Sequence, residues 1–448
     1  MSRNAVIVAI VAARIATTQA FPPAAGIGFA EDASALLERA REKVLSSIRR
    51  MPKYTCLETI DRQYYVPSPE KHILRGMSEP PSSACMGNRA GPLSLAAKDR
   101  LRVEVAESSE GEIHSWPGAS HFDTRSIDQV IPFGPISTGS FGADLLDILA
   151  NSGAQLKFIA RKVDGRQVVF AYSFRVPRKT SHSVVKTQSG WKTTGNSGSF
   201  EIDAATAELA RLVIETDPLP PDTGMCQAKT TIDYHFIEIG DGEFLIPRRS
   251  EFETFNTDDS RTDSVTEFST CREYMVQSGV RFDDEDASAG SVNIAPQHVT
   301  PLPPGVSLTL AFVRAIDLGT AAAGDAVSAT VVSSIRVQGS NDIPVPPGAI
   351  ARGRIVGMRY EFSTAQFVIS IRFETLETNG ALSPLSLRLD RGLKADRRTP
   401  HGFVSRGTEF SLPAPASVEP GNILVFPVTS GAYVIPAGFQ SKWTTVAP

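Results

Sequence analysis

The stretch Ser197–Asp217, SGSFEIDAATAELARLVIETD, decides the fold class of this chain. Apolar residues alternate with polar ones on both sides of a short loop: Phe200, Ile202, Leu212 and Ile214. A period of two is typical of a β-strand with one face on a core. The side-chain oxygens of Asp203 and Thr206 are suited to holding the backbone of the loop. The stretch therefore predicts two antiparallel strands and a sheet with one apolar face.

The same alternation continues on both sides of this hairpin. Further strands are predicted at residues 54–66, 101–108, 156–163, 167–176, 228–238, 243–255 and 264–277. The strands 156–163 and 167–176 flank Asp164-Gly165, a preferred two-residue hairpin turn. Strands that follow one another through short turns predict an antiparallel sheet.

Two segments have helical spacing instead. Residues 31–50 place apolar side chains on one face between charged residues, with Asp32 or Ser34 as the N-cap. A second helix is predicted at 141–151, with Ser140 as N-cap and Gly153 as C-cap. Two short helices cover only part of a sheet of this width.

The composition and the residue pattern of the sequence change after residue 282. Residues 283–300 are acidic, then small and polar, and are predicted to be a linker. Beyond them, Pro-Gly pairs precede alternating apolar runs, which predicts an all-β barrel or sandwich at 301–448. The predicted domains are therefore 31–282 and 301–448.

The N-terminus and the composition indicate an exported protein. Arg3, the apolar run Ala5–Ala13 and the small residues before Phe21 predict a signal peptide at 1–20, the alternative being a helix of a cytosolic protein. A net charge of -4 in 448 residues argues against a nucleic-acid partner. After residue 20 no apolar run is long enough to span a bilayer. The expectation is a periplasmic or secreted protein that is not an integral membrane protein once processed.

The chain has four cysteines, Cys56, Cys85, Cys226 and Cys271. Their spacing does not fit a zinc site, and an even number fits two disulfides in an exported protein. Three connectivities are possible. Short loop closure favours Cys56–Cys85 with Cys226–Cys271.

The sequence predicts neither an enzyme nor a cofactor or metal site. It contains no G-x-S-x-G elbow, no phosphate-binding P-loop and no dinucleotide fingerprint. His114 and His121 with Asp123 suit a metal site if their loop folds back, but polar residues of a strand and loop are the simpler interpretation. The basic cluster Arg175–Lys186 is either a solvated loop or a contact for anionic headgroups.

The N-terminal domain also resembles a known family. The amphipathic helix, the run of antiparallel strands and the motif F-x-I-D-x-x-T-x-x-L-x-R-L at Phe200–Leu212 are similar to the lipoprotein-carrier (LolA-like) proteins of the bacterial envelope, over residues 31–280. The segments YTCLETIDR and LIPRRSEF are similar to an envelope-protein family of soil bacteria. LPPGVSLTLAFV and VPPGAIARGRIVG in the C-terminal domain resemble the periplasmic β-barrel of TrbI-like proteins. The resemblance implies a mainly β protein: an antiparallel half-barrel covered by helices, plus a C-terminal barrel.

The apolar strand face is the candidate binding site. A curved sheet that two helices cover incompletely would enclose an apolar cavity for a lipid or lipoprotein acyl chain. The cavity candidates are Phe170, Tyr172, Phe174, Phe200, Ile202, Leu212, Ile214, Ile232, Tyr234 and Phe236. The alternative is a filled core in a non-enzymatic envelope scaffold, with residues 301–448 contacting an envelope protein.

Overall fold

The computed structural model describes residues 28–68, 85, 92–108, 111–119, 122, 127–131, 134–164, 167–187, 189–273, 301–333, 345–390, 422–427 and 433–447. The predicted signal peptide 1–20 and linker 283–300 lie outside these residues, as do His121 and Asp123 of the possible metal group. We call residues 28–273 the N-terminal region and residues 301–447 the C-terminal region.

The helices are α1 (Gly28–Arg50), α2 (Ile127–Val130) and α3 (Ala143–Leu149). Helix α1 confirms the predicted amphipathic segment, because the residues of one face are buried: Ala33, Leu36, Ala40 and Val44. Helix α3 is shorter than predicted and both of its predicted caps are wrong. Its N-cap is Gly142 and its C-cap is Ala150. The reason is a turn that precedes the helix, in which the carbonyl of Gly139 accepts the N–H of Asp144 at 3.1 Å.

Strands make up most of the N-terminal region, as predicted. They are β1 (Tyr54–Pro67), β2 (Leu93–Ser108), β3 (Gly111–Ser115), β4 (Gln155–Asp164), β5 (Gln167–Val176), β6 (Val184–Thr187), β7 (Gly190–Thr193), β8 (Asn196–Asp203), β9 (Leu209–Thr216), β10 (Met225–Ile239), β11 (Gly242–Asn256) and β12 (Arg261–Glu273). The order β4-β5-β8-β9-β10-β11-β12-β1-β2 is antiparallel throughout. Strands β6 and β7 form a separate hairpin.

The stretch Ser197–Asp217 folds as the predicted hairpin. Strands β8 and β9 pair with Phe200 opposite Leu212. In the turn between them, one carboxylate oxygen of Asp203 accepts the N–H groups of Ala205 at 2.8 Å and Thr206 at 3.0 Å. A side-chain acceptor at the first position of the turn thus replaces backbone partners that the turn does not supply.

The C-terminal region is also built of strands in its described residues. They are β13 (Ser307–Phe312), β14 (Ile316–Asp317), β15 (Ala326–Val331), β16 (Ile350–Glu361), β17 (Gln366–Thr378), β18 (Ala381–Pro384), β19 (Leu387–Leu389), β20 (Ile423–Pro427), β21 (Val434–Ile435) and β22 (Gln440–Thr445). Pairings run from β22 through β13, β15, β16 and β17 to β18, and β19 pairs again with β22. The core inside this circuit includes Trp443, which is fully buried and packs edge-on against Phe373.

The two regions meet along the outer edge of β2. Residues 97–99 of β2 pair with residues 359–361 of β16. Next to this pairing, the N–H of Arg102 donates to the carbonyl of Ala323 at 2.7 Å. The guanidinium of Arg102 donates to both carboxylate oxygens of Asp325, at 2.5 and 2.7 Å. The sheet therefore continues by hydrogen bonds from one region into the other.

The disulfides differ from the pairing that loop closure favours. Cys56 is bonded to Cys271, with Cα atoms 4.1 Å apart, and Cys85 is bonded to Cys226, with Cα atoms 5.1 Å apart. The first bond follows from the pairing of β1 with β12, which sets the two cysteines side by side. Loop length is a weak guide when a long-range strand pairing has already brought two cysteines together.

A candidate apolar binding site

The predicted apolar face exists, and two helices cover much of it. Nine of the ten predicted cavity residues are buried, and Phe236 is partly buried against them. They pack with residues of α1 and α3 that project onto the sheet: Ala33, Leu36, Ala40, Val44, Leu145, Ile148 and Leu149. The hydroxyl of Ser47 in α1 accepts the N–H of Leu245 at 2.9 Å, which ties the helix to β11.

Aromatic rings fill the space beneath α1. The ring of Tyr172 stacks on that of Phe200, with centroids 5.2 Å apart. Phe158 meets Phe170 at 5.6 Å and Tyr172 at 5.7 Å. The hydroxyl of Tyr172 donates to the carbonyl of Ala33 at 2.7 Å, and burial raises the pKa of this phenol to about 12. These rings interdigitate in the manner of a core, in which side chains meet at van der Waals distance.

The same sheet face continues beyond the helices and borders an open cleft of about 390 Å³. On β10, Ala228 and Thr230 follow the same alternation as the core residues Ile232 and Tyr234, and both border the cleft. On β9, Ile214 belongs to the core and also lines the cleft. The volume falls within the range of about 300–1,000 Å³ for small-molecule pockets. Of the ten predicted cavity residues, Ile214 is the one that lines this cleft.

The opposite walls of the cleft come from segments outside the ten predicted cavity residues, and one of them includes the end of the basic cluster Arg175–Lys186. Ile127, Ile131 and residues 134–138, which include Ile136, form one wall. The β6–β7 hairpin forms another, with Val184 and Trp191. Trp191 is 56% exposed and Val184 53%. The dipeptide Ser189-Gly190 was the available signal for this hairpin, since such pairs mark turns and Gly190 has φ 122°.

Polar groups, among them Asn196 and Asp144, also border the cleft. Asn196 is buried; its side-chain N–H donates to the hydroxyl of Ser183 at 2.8 Å, and its Oδ1 has no hydrogen-bond partner among the described residues. Burial, with smaller contributions from the charges of Glu112 and Asp147, raises the pKa of Asp144 to about 7. A buried acceptor without a partner is costly, so Asn196 favours a ligand that carries a hydrogen-bond donor.

A buried pair of ionisable residues, Glu58 on β1 and His114 on β3, lies outside the lining of the cleft. Nε2 of His114 is 3.7 Å from the carboxylate of Glu58. Burial lowers the pKa of His114 to about 4 and raises that of Glu58 well above its usual range, the charge of Glu112 adding to the latter. Across the described ranges, no three metal-ligating side chains come together in a metal-binding arrangement.

A second cleft, of about 660 Å³, lies where the two regions meet. Arg102, Arg352, Asp317 and Asp325 line it together with apolar residues of the C-terminal region. Arg102 is engaged by Asp325, and Arg352 by Glu377. Because these charged side chains are already paired within the protein, we consider this cleft a weaker candidate for ligand binding than the apolar cleft.

Comparison with known proteins assigns no family. A scan against protein families finds no match, and neither does a search of curated proteins. Among solved structures, LolA superfamily protein NE2245 from Nitrosomonas europaea is 10% identical, over 55% of this chain and 94% of that one, with a TM-score of 0.25. A putative outer membrane lipoprotein-sorting protein domain from Vibrio parahaemolyticus is 11% identical, over 56% and 95%, with a TM-score of 0.25. Identities and scores at this level assign neither a family nor a function.

Proposed function

We propose that this protein is an exported, non-enzymatic binding protein that holds a lipid or lipoprotein acyl chain in the cleft between its sheet and the β6–β7 hairpin. The cleft is the observation that carries the proposal: it is open, lined by Ile131, Ile136, Ile214 and Trp191, and continuous with the apolar sheet face. Each buried methylene of a chain contributes about 0.8 kcal/mol. We place the protein in the periplasm or outside the cell, which two disulfides support.

The proposal moves the site away from the residues that the sequence favoured. Tyr172, Phe200 and their neighbours support the cleft as a packed floor and do not line it. The N-terminal region acts as an antiparallel half-barrel closed by α1 and α3, and residues 301–447 as an attached barrel domain. Among the described residues, no helix combines the length and the apolar character needed for a membrane span.

A cleft-filling variant tests the site. Ala228 is 7% exposed and borders the cleft, so Ala228→Leu places a larger side chain in the ligand's space. We expect the affinity for a fluorescent fatty acid to fall on the order of tenfold. Ala381→Leu, a strand alanine of the C-terminal region, is the matched control and leaves the affinity unchanged. Equal affinities of wild type and Ala228→Leu would contradict the site.

A scaffold is the second candidate. It is favoured by the filled core beneath α1 and by the hydrogen-bonded seam between β2 and β16, which makes the described regions one continuous frame. In this case residues 301–448 contact another envelope protein, and crosslinking in cells traps that partner. Protein purified without detergent that contains no lipid by mass spectrometry, and binds no fluorescent fatty acid, would favour the scaffold over the carrier.

A further inference from the structure

The β6–β7 hairpin carries an apolar and basic face that borders the cleft and is also exposed to solvent. In this hairpin Lys186 pairs with Trp191, and Val184 pairs with Thr193. Directly opposed residues of an antiparallel pair share one face, so Val184, Lys186 and Trp191 project to the same side. The ammonium of Lys186 lies 5.1 Å from the centroid of the Trp191 ring. A large aromatic ring, an aliphatic side chain and a cation therefore occupy one small face.

Contacts at the turn, along β7 and at the base of the hairpin hold this face in position. The carboxylate of Asp222 accepts hydrogen bonds from Lys192 at 2.7 Å and from Ser189 at 3.1 Å. On the other strand, Ser183 and its neighbour His182 are bound by the carboxylate of Asp147. The exposure of Trp191 is thus a property of an anchored hairpin.

Further cations lie next to the base of the hairpin. Arg178 and Lys179 are exposed in the turn that follows β5. The backbone of Arg178 lies against Gly195, which follows β7, so close that a Cβ on this glycine would be 2.9 Å from the Arg178 nitrogen. The nearby carboxylates of Asp222, Asp147 and Asp217 are engaged by Lys192, His182 and Arg175. Arg178 and Lys179 therefore add positive charge beside the base of the hairpin.

We propose that the β6–β7 hairpin docks this protein on an anionic lipid bilayer, with Trp191 and Val184 entering the interface and Arg178 and Lys179 facing the headgroups. Tryptophan prefers the interfacial layer, because its ring is apolar and its N–H is polar. Cations near an anionic surface contribute about 1 kcal/mol each at physiological salt. Since Trp191 also lines the cleft, docking would bring the cleft's mouth to the membrane.

Tryptophan fluorescence of the full chain tests the proposal. Trp443 is fully buried, Trp116 is partly buried, and Trp191 is the exposed one of the three. With vesicles of phosphatidylethanolamine and phosphatidylglycerol, we expect a blue shift, and brominated acyl chains are expected to quench the emission. Trp191→Phe should still sediment with the vesicles and lose the quenching. Added salt should weaken binding, because it screens the headgroup charges.

Variants test the aromatic and the basic part of the proposed docking surface separately. Trp191→Ala should weaken sedimentation with these vesicles on the order of tenfold. The double variant Arg178→Ala, Lys179→Ala should weaken it about thirtyfold, and should not affect binding of a fluorescent fatty acid in solution. Leu382→Ala, which removes an equally exposed side chain (56%) from the C-terminal region, is the control.

The proposal is overturned if the wild-type chain does not sediment with anionic vesicles, if Trp191 is not quenched when it does, or if both hairpin variants bind as wild type. Circular dichroism and a thermal unfolding transition equal to those of wild type ensure that each variant is folded. Vesicle binding is measured without fatty acid, so its failure is distinct from failure of the cleft to bind an acyl chain.

Discussion

The ring of Tyr172 lies nearly parallel to that of Phe200, at an interplanar angle of 13°. Both rings are buried between the sheet and α1, with 1% and 2% of their surface exposed. The aromatic face that suggests a cavity in the sequence is therefore the filled part of the N-terminal region. The space for a ligand lies beyond it, where the helices end and the hairpin begins.

The packed core predicts that truncation there costs stability and not ligand affinity. Phe200→Ala should lower the free energy of unfolding by about 3–5 kcal/mol, because it removes a buried ring and leaves a cavity. Urea denaturation measures this loss, and a fatty-acid titration of the folded variant should match that of wild type. A loss of ligand affinity without loss of stability would instead place Phe200 in the binding site.

The disulfide pairing predicts a specific peptide map. Proteolysis under non-reducing conditions should release peptides that join Cys56 to Cys271 and Cys85 to Cys226. The double variant Cys56→Ser, Cys271→Ser should lower stability by about 5 kcal/mol, since the bond closes a long loop. A peptide joining Cys56 to Cys85 would contradict the structure.

The carboxyl of Asp144 predicts a pH-dependent stability. Its pKa of about 7 in the folded chain exceeds the value of about 4 expected when unfolded. Between pH 4 and pH 7 this carboxyl therefore stays protonated in the folded chain and is ionised in the unfolded chain. The stability that the protonated carboxyl contributes is fully present below pH 4 and is lost as the pH rises through 7. Asp144→Asn should nearly equal wild type at pH 4 and exceed it by about 4 kcal/mol at pH 8, because the folded and unfolded pKa values differ by about 3.

Denaturant unfolding at the two pH values checks this difference. The control is Asp241→Asn, which replaces an exposed carboxylate in the turn between β10 and β11. It should change the free energy of unfolding little at either pH. His114 has a lowered pKa, which makes stability rise with pH, the opposite of the effect of Asp144. Because wild type and Asp144→Asn both contain His114, the difference between them reports Asp144. If Asp144→Asn were no more stable than wild type at pH 8, the carboxyl would not be in a desolvated site.

A buried ion pair on β1 and β2 predicts an asymmetric mutational result. The guanidinium of Arg62 donates two hydrogen bonds of 2.8 Å to Asp99, and the hydroxyl of Tyr64 donates to the same carboxylate at 2.9 Å. Arg62→Met should cost about 3–5 kcal/mol, because it leaves a buried charge without its counterion. Adding Asp99→Asn should recover part of that loss. Thermal unfolding of both variants measures it, and a double variant less stable than Arg62→Met would refute the pairing.

Local patterns predicted the parts of the fold that depend on neighbours in sequence. Alternation located β5 and β8–β11, the carboxylate of Asp203 marked its turn, and one apolar face located α1. The sequence did not predict the pairing of β1 with β12, and the disulfide prediction failed with it. Such contacts depend on the closure of a sheet over more than two hundred residues, as the separation of 215 between Cys56 and Cys271 shows.

The candidate site was harder to predict than the fold, for a related reason. The apolar alternation of a strand does not say which part of its face a helix will cover, so Tyr172 and Ile214 looked equivalent. The walls at 127–131 and 134–138, and at 184–187 and 190–193, are short or irregular and have no long periodicity of their own. Only their arrangement in space shows that Ile131 and Trp191 face one cleft.

The most direct measurement is a map of where a bound acyl chain lies. A fatty acid with a photoactivatable group near the end of its chain is bound, irradiated and located by peptide mass spectrometry. We expect the label on residues that border the cleft, in the segments 183–196 and 214–230. A label on α1 or beneath it, at Leu36 or Phe200, would show that the ligand enters the core and would contradict the proposed site.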